Sequence, residues 1–327
     1  MPSIFNPKVS VIMNCLNSED YMRAAIESIY SQTYNNWEII LFDNASTDTT
    51  AEIAMSFDSK LCYFRNDKTV PLGEARNLAL KQAEGEFIAF LDSDDVWYAE
   101  KLEKQIPLFD AAPSIGLVFS NTHLTNKEHK NSTDKFSENN FKSLKGNMFL
   151  QLLQNYSIPM LTVIIRKEVL HNLDEWFDNT FQCCDDYDFI MRIVYEWECD
   201  YINEPLANCL IHNDAVTVKF HQYAASERLK TLVKLSDKHP GFSSQYKNEI
   251  FKLQQNITYV QGVSYWRNGN GIAARKEFKK YIIRFKFFLS FLLTLIPFSW
   301  VEKVSNTIKN LHLFNFIKNN FQESREK

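Results

Sequence analysis

The first 120 residues alternate short apolar runs with stretches of helical periodicity. The runs VSVIM, WEIILF, LCYFR and EFIAFL begin at residues 9, 37, 61 and 86, and helical patterns separate them. Parallel strands need such crossovers, and strands that are covered on both faces are apolar along their whole length. The pattern predicts an α/β fold in which helices flank a mostly parallel sheet of Rossmann type.

An acidic motif follows the fourth of these runs directly. Residues 87–95 read FIAFLDSDD, so a buried strand leads into Asp92, Asp94 and Asp95, with Ser93 between the first two. Like charges this close repel each other and lose solvation near a core, which predicts a positive partner in the working state. Carboxylate oxygens suit Mn²⁺ or Mg²⁺, whose ligand shell is often completed by substrate phosphates. An ordinary acidic helix cap is the alternative that these residues leave open.

Further candidate residues stand at the ends of the first two strands. Asn14 and Leu16 come at the end of the first strand, and Asp43 and Asn44 come at the end of the second. In parallel α/β sheets, ligands bind beyond the carboxyl ends of the strands. The ends of these strands are therefore expected to converge on one crevice where a ligand could bind.

The C-terminal third of the chain has a different composition. Residues 267–286 contain seven Lys and Arg against one Glu, and residues 285–300 read FKFFLSFLLTLIPFSW. The apolar run is shorter than the roughly 20 residues that span a bilayer. Segment 267–300 therefore predicts an amphipathic helix on an anionic membrane surface, with a helix buried against the body as the alternative. Residues 221–327 as a whole are expected to form a helical extension.

Charge and cysteine usage limit the remaining classes. The net charge is −4 and the basic residues concentrate near the C-terminus, which argues against nucleic acid as a partner. The six cysteines form no C-x-x-C pair, and the N-terminus lacks a secretory pattern. We therefore expect free thiols and a cytoplasmic protein. Together with the basic and apolar segment 267–300, this predicts a peripheral location at the inner face of the cell membrane. A homodimer is left open.

Five motifs in order over residues 8–110 resemble the nucleotide-binding half of the family 2 glycosyltransferases, which have the GT-A fold. They are VSVIMNCLN, AAIESIYSQTY, WEIILFDNASTD, LGEARNLAL and AEGEFIAFLDSDD, and the later stretch DDYDFIMR resembles the second acidic motif of that family. The resemblance implies a nucleotide-sugar-binding half over residues 1–120 and an acceptor-binding half over residues 121–220.

The resemblance also implies roles for single residues. Asp186 matches the catalytic base, Asp94 matches the metal ligand, and Asp92 matches a residue that supports the ribose or the metal shell. Inverting transfer needs a base on the acceptor hydroxyl and a cation on the departing diphosphate. His212 stands near a family histidine that lies by the diphosphate or metal, although Leu210 replaces the arginine that precedes it in the family.

Other substrate contacts are expected by the same resemblance, and each has an ordinary structural alternative. Arg76 is expected to reach the base or diphosphate, Ser93 and Asp185 to border the substrate, and Trp97 to stack on the acceptor sugar. The alternatives are a surface arginine, helix capping and core packing. The residues at the ends of the first two strands are expected to bind the donor substrate, and they are Asn14, Leu16, Asp43 and Asn44. Asn44 replaces an acid that commonly accepts a hydrogen bond from a pyrimidine ring, and its amide oxygen still accepts without charge assistance.

The implied function is a metal-dependent, inverting hexosyl or related transferase with Mn²⁺ or Mg²⁺ as cofactor. It would move a sugar from a nucleotide diphosphate, UDP first and dTDP next, to a glycan acceptor that is expected to be lipid-linked, in cell-surface polysaccharide or lipopolysaccharide synthesis. One alternative is a sugar-nucleotide nucleotidyltransferase, although NCLNSEDYMR offers no phosphate-binding glycine. Another is a non-catalytic sugar- or membrane-binding protein on a transferase scaffold, which the intact Asp92, Asp94 and Asp186 argue against.

Overall fold

The structure is a computed structural model that describes residues 6–126, 145–211 and 216–300. The chain divides into two compact units, Met1–His221 and Gln222–Lys327. Residue 120, where the sequence predicts a boundary between two halves, lies inside the first unit, and that finer division stays a prediction.

One mixed sheet organises the described residues of the first unit. Its nine strands are β1 (Val9–Cys15), β2 (Trp37–Asp43), β3 (Leu61–Arg65), β4 (Phe87–Phe90), β5 (Val96–Trp97), β6 (Ile115–Asn126), β7 (Lys145–Gly146), β8 (Ile164–Arg166) and β9 (Glu198–Ile211). The strand order is β3-β2-β1-β4-β8-β6-β9-β5, and β7 pairs with β9. Strands β1 to β4 run parallel, whereas β8 is antiparallel to both of its neighbours. The predicted α/β fold is confirmed.

Helices cover this sheet because its central strands are apolar on both faces. All seven residues of β2 are buried, and six of the seven residues of β1 are buried. The helices of this unit are α1 (Met22–Tyr30), α2 (Thr50–Met55), α3 (Leu72–Leu80), α4 (Lys101–Asp110), α5 (Phe149–Gln154) and α6 (Asp185–Glu196). Short 3-10 helices also precede and follow β8.

The register of the parallel strands brings their carboxyl ends to one edge of the sheet. Cys15 pairs with Asp43 across β1 and β2, and Ile12 pairs with Phe90 across β1 and β4. The chain enters β4 through Gly85, where a Cβ atom would stand 2.6 Å from the backbone nitrogen of Ser10. Glycine is therefore required for β4 to lie this close to β1.

The second unit is helical. Its described helices are α8 (Phe242–Gln245), α9 (Lys247–Arg267), α10 (Gly271–Lys279) and α11 (Phe285–Leu293), and α7 (Val216–Lys238) precedes them across the division. The buried residues of one core cluster are Tyr259, Val263, Trp266, Ala274, Phe278 and Phe287. The described residues of this unit are helical as the sequence predicts, and residues 301–327 of the predicted extension lie outside the described residues. Among the helices described, none combines the length and the hydropathy that crossing a bilayer requires.

Candidate active site

Asp43, at the end of β2, is fully buried and fixes one wall of the crevice. One carboxylate oxygen accepts the backbone N–H of Ser46 at 2.7 Å, and the other accepts the Tyr63 hydroxyl at 2.6 Å and the Arg65 guanidinium at 3.3 Å. Burial, and then the bond to Asp43, raises the pKa of Tyr63 to about 12. The sequence did not identify Tyr63 and Arg65 as candidate site residues. Their signal in the sequence is their alternate positions on β3, the strand that pairs with β2.

Asn44 connects this wall to the loop before α3. Its side-chain nitrogen donates to the carbonyl of Val70 at 2.8 Å, and its side-chain oxygen accepts the N–H of Val70 at 2.9 Å. These two hydrogen bonds therefore hold the loop in this conformation. The expected contact with a pyrimidine ring stays a prediction, as does substrate binding by Asp43.

The end of β1 contributes the other two predicted residues. Within the described residues, the side-chain nitrogen of Asn14 is buried without a hydrogen-bond partner. An unsatisfied buried donor costs about 1–3 kcal/mol, which an acceptor on a bound ligand would offset. Leu16 is exposed just beyond the strand.

Side-chain bonds tie the acidic loop after β4 to two other elements. The Ser93 hydroxyl lies 2.9 Å from the Ser18 hydroxyl, in the segment that leads to α1. The buried Asp95 carboxylate accepts the backbone N–H of Leu210 in β9 at 2.8 Å. Burial, and then the charges of Asp92 and Asp94, raises the pKa of Asp95 to about 8.

Arg76 joins the two acidic motifs. It extends from α3, is buried, and lies 2.7 Å from Asp185 and 3.3 Å from Asp92. Burial opposes its charge, but Asp185, Asp92 and Asp186 together hold the pKa of Arg76 above its ordinary value. Asn77, the next residue on α3, exchanges two hydrogen bonds with the backbone of Phe177 and so fixes this turn of the helix.

Asp186 stands in the first turn of α6, next to the Asp185 that Arg76 binds. Its side chain accepts the backbone N–H of Tyr187 at 2.6 Å. Burial, and then the charge of Asp185, raises the pKa of Asp186 to about 6, although Arg76 and the Tyr187 N–H act in the opposite direction. A carboxylate with this pKa is ionised at neutral pH and accepts a proton more readily than an ordinary aspartate.

The donor set of the acidic loop fits a divalent cation. Asp92 and Asp94 are both partly exposed. Removal of solvent raises the pKa of Asp92, Arg76 lowers it, and the like charge of Asp94 raises it further. No third His, Cys, Asp or Glu ligand atom lies close enough to complete a cluster with them in the part of the chain that is described. Mg²⁺ and Mn²⁺ bind to such sites through one or two carboxylates together with substrate phosphates. His212, the third predicted ligand, lies outside the described residues.

Trp97 has a packing role in this structure. It is 3% exposed in the hydrophobic core, and its indole N–H donates to the carbonyl of Leu161 at 2.8 Å. The ammonium nitrogen of Lys101 lies 4.2 Å from the centre of its ring. The burial leaves no ring face on which a sugar could stack. The neighbouring Tyr98 is 37% exposed, and its hydroxyl lies 2.6 Å from Nδ1 of His123.

Comparison with known proteins identifies the family of the first unit. A family model described as glycosyl transferase family 2 matches residues 10–173. The Escherichia coli UDP-Glc:alpha-D-GlcNAc-diphosphoundecaprenol beta-1,3-glucosyltransferase WfgD is 37% identical over 164 residues, which are 50% of this chain and 62% of that protein. The putative teichuronic acid biosynthesis glycosyltransferase TuaG of Bacillus subtilis is 33% identical over 167 residues, or 50% and 64%. The matched part thus spans less than two thirds of either relative.

Solved structures of low identity share the fold. TarS of S. aureus in complex with UDP aligns with a TM-score of 0.57 at 21% identity, over 88% of this chain and 90% of that one. A mannosyltransferase of Pyrobaculum calidifontis in complex with GDP-Man and Mn²⁺ aligns with a TM-score of 0.55 at 16% identity, over 89% and 85%. At these identities the likeness supports the α/β fold and no more.

Proposed function

The chain belongs to glycosyl transferase family 2, and on that basis we propose that it is a metal-dependent, inverting glycosyltransferase. The observation that carries the proposal is the buried Arg76, which holds Asp92 of the first acidic motif and Asp185 of the second. These contacts support the proposal because they link the loop of the candidate metal ligands Asp92 and Asp94 to the helix start that holds the candidate base Asp186. Both are needed when a sugar leaves a diphosphate and joins a hydroxyl.

Asp186 acts as the base in this proposal. It takes the proton of the acceptor hydroxyl, whose oxygen forms the new bond to the anomeric carbon while the bond to the diphosphate breaks. Its pKa of about 6 keeps it ionised at neutral pH. Asp92 and Asp94 would hold Mn²⁺ or Mg²⁺, which when bound neutralises charge on the departing diphosphate. Asp185 and Arg76 position the base, and His212 stays a proposed neighbour of the metal.

The donor is proposed to be a UDP-sugar, with dTDP-sugars next. WfgD is named for UDP-Glc and the TarS structure holds UDP, which support this choice, whereas the Pyrobaculum neighbour holds GDP-Man. The buried amide nitrogen of Asn14, which is without a partner among the described residues, offers a donor at the end of β1. Asp43, Asn44, Leu16 and Ser93 are proposed to form the surrounding wall.

The acceptor is proposed to be a lipid-linked glycan of the bacterial cell surface, with the enzyme peripheral at the inner face of the membrane. The name of WfgD specifies a diphosphoundecaprenol substrate, and that of TuaG specifies teichuronic acid synthesis. The basic and apolar segment 267–300 is proposed to lie on that membrane. A homodimer stays an untested expectation.

A donor screen tests the proposal. Purified protein with Mn²⁺ or Mg²⁺ is incubated with UDP-, dTDP- and GDP-sugars, with and without a GlcNAc-diphospholipid acceptor, and free nucleotide diphosphate is measured. We expect release from one class of donor, and loss of release in EDTA and in Asp94→Ala. No release from any donor, together with no thermal shift from any nucleotide, would support the non-catalytic alternative.

A further inference from the structure

Helix α11 of the second unit has one face that its own unit covers and an opposite face that is exposed. On the covered face, Phe287, Ser290 and Thr294 are buried. The ring of Phe287 lies 5.5 Å from that of Tyr259, and the Ser290 hydroxyl donates to the Tyr259 hydroxyl at 3.2 Å. This face therefore belongs to the core of the second unit.

The opposite face is exposed. Phe285, Phe288 and Leu292 are 67%, 46% and 41% exposed, at the i, i+3 and i+7 spacing of one helix side. Leu295 and Trp300, just beyond the helix, are each 67% exposed. These five residues are named the bare face below. Single exposed apolar residues are ordinary, but five large ones within residues 285–300 mark a candidate interaction surface.

Contacts within the second unit hold this helix in its orientation. The indole N–H of Trp266 donates to the carbonyl of Ile296 at 2.8 Å. Arg275 donates to the carbonyl of Thr294 at 3.0 Å. Rotation of the helix would break both bonds and expose Phe287, so the bare face cannot turn inward at low cost.

Basic residues accompany the bare face. Lys276, Lys279, Lys280 and Arg284 are exposed on α10 and on the turn that leads into α11. Glu277 is the one acidic residue in the sequence between 267 and 300, and it is buried in an ion pair with Lys280. Segment 276–300 therefore combines large exposed apolar side chains with positive charge that this one acid offsets only in part.

We propose that the bare face inserts into the headgroup region of an anionic lipid membrane, while Lys276, Lys279 and Arg284 bind the lipid phosphates. An interfacial helix needs this combination of aromatic and aliphatic side chains with adjacent lysine and arginine. A second copy of the chain would bring the same positive charges against each other, which costs free energy. The proposal rests on the proposed function for its purpose, since a lipid-linked acceptor requires an enzyme at the membrane.

Vesicle binding of the full chain tests this surface. The protein is sedimented with vesicles of phosphatidylcholine alone and of phosphatidylcholine with phosphatidylglycerol, at low and high salt. We expect binding to the anionic vesicles that weakens at least about tenfold at high salt, because several basic residues contribute. Equal binding to neutral vesicles, or no binding to either, would overturn the proposal.

A matched pair of double variants locates the contact. Phe288→Ser with Leu292→Ser removes two side chains from the bare face, and we expect binding to fall at least about tenfold. Met55→Ser with Val233→Ser removes two side chains that are 68% and 57% exposed elsewhere, and should leave binding unchanged. Equal effects of the two pairs would contradict the assignment. If the first pair instead converts a dimer to a monomer in light scattering, the face is an interface between copies and the lipid proposal fails.

The readouts separate this proposal from the proposed function. Donor hydrolysis in solution depends on the crevice of the first unit, so the Phe288→Ser, Leu292→Ser variant should retain it while losing vesicle binding. Vesicle binding by a protein that cleaves no donor would refute the proposed function but support the membrane surface. Donor cleavage without vesicle binding would support the proposed function but refute the membrane surface.

Discussion

The acidic crevice of the first unit and the bare face of the second place opposite kinds of side chain in unusual surroundings. In the crevice, charged groups are buried: Arg76 and Asp185 form a pair that solvent hardly reaches. On the bare face, Phe285 and Trp300 are exposed by two thirds of their surface. Burying charge and exposing large apolar side chains both cost free energy in the isolated protein.

The two costs would be offset by different ligands. The crevice has more negative than positive groups among its named residues, which suits a cation carried by a diphosphate. The bare face has apolar and positive groups, which suit anionic lipid. In each unit, the side chains whose burial or exposure is unfavourable therefore lie where a ligand is proposed to bind.

Asp186→Asn should have the largest effect. It removes the proposed base, so turnover should fall about 100- to 10,000-fold, while nucleotide binding in a thermal-shift assay remains. Asp110→Asn, an exposed aspartate at the end of α4, serves as the control and should retain activity. Full turnover by Asp186→Asn would show that the base is elsewhere.

The same variant should not lose stability at pH 8. The pKa of Asp186 is raised to about 6 in the folded state from an ordinary value of 3.8, so its ionised form is disfavoured there. Wild-type stability therefore falls as pH rises through this interval. The Asn variant avoids that loss and should gain roughly 1–2 kcal/mol at pH 8, with little gain at pH 4. Urea unfolding at both pH values measures the difference, and a loss at pH 8 would contradict the burial of this charge.

Asp94→Ala tests the other end of the crevice. Without this ligand, donor cleavage should fall about 100-fold or more, and a Mn²⁺-dependent thermal shift with UDP should disappear. EDTA should reproduce both losses in the wild type, and added Mn²⁺ should reverse them there alone. A variant that keeps the Mn²⁺-dependent shift would place the cation outside the acidic loop.

Arg76→Lys should give a smaller loss with a distinctive pH profile. The lysine keeps the charge but not the two-pronged contact with Asp92 and Asp185, so kcat should fall about 10- to 100-fold. Arg76 lowers the pKa of Asp186, so a lysine that contacts the acidic motifs less closely should let that pKa rise. The acidic limb of the plot of rate against pH should then move from near 6 to higher pH. A lower kcat with an unmoved limb would limit Arg76 to a packing role.

Lys101→Met replaces a buried ionisable side chain outside the acidic motifs. Lys101 is fully buried, its nitrogen lacks a hydrogen-bond partner within the described residues, and burial holds its pKa well below the ordinary value. The Met variant should be more stable by about 1–3 kcal/mol and equally active. The gain should shrink as pH rises toward 10.5, where the unfolded lysine also loses its proton. Lys104→Met is the control at a partly exposed lysine that pairs with Glu100 and Glu204, and it should give no gain in stability. Lost activity in Lys101→Met would show that the buried lysine also serves catalysis.

The local parts of this account were predictable from the sequence. The four parallel strands follow from apolar runs with helices between them, and the acidic motif stands at the end of β4 as predicted. The convergence of the strand ends follows from the topology of parallel sheets, because residues at the ends of neighbouring strands must lie at one edge. The family resemblance is confirmed by the match to residues 10–173.

The long-range parts were not predictable. Arg76 and Asp185 are 109 residues apart, and only the packing of α3 near α6 decides that they pair. Strand β9 lacks a regular alternation, because its register against β6 shifts near Asn121. Trp97 follows an acidic motif in sequence but faces the core, since β5 pairs with β9. The sequence left two alternatives open for α11, a buried helix and a helix on a membrane surface. The face that holds Phe287 is buried, and the membrane contact stays a prediction for the bare face.

The configuration of the product tests the central claim most directly. Nuclear magnetic resonance of the glycan formed from an α-linked nucleotide sugar reports whether the new linkage is β or α. A single base at Asp186 and a cation held by Asp92 and Asp94 predict inversion, and therefore a β linkage. An α product would require a different reaction course and would contradict the roles assigned to the two acidic motifs.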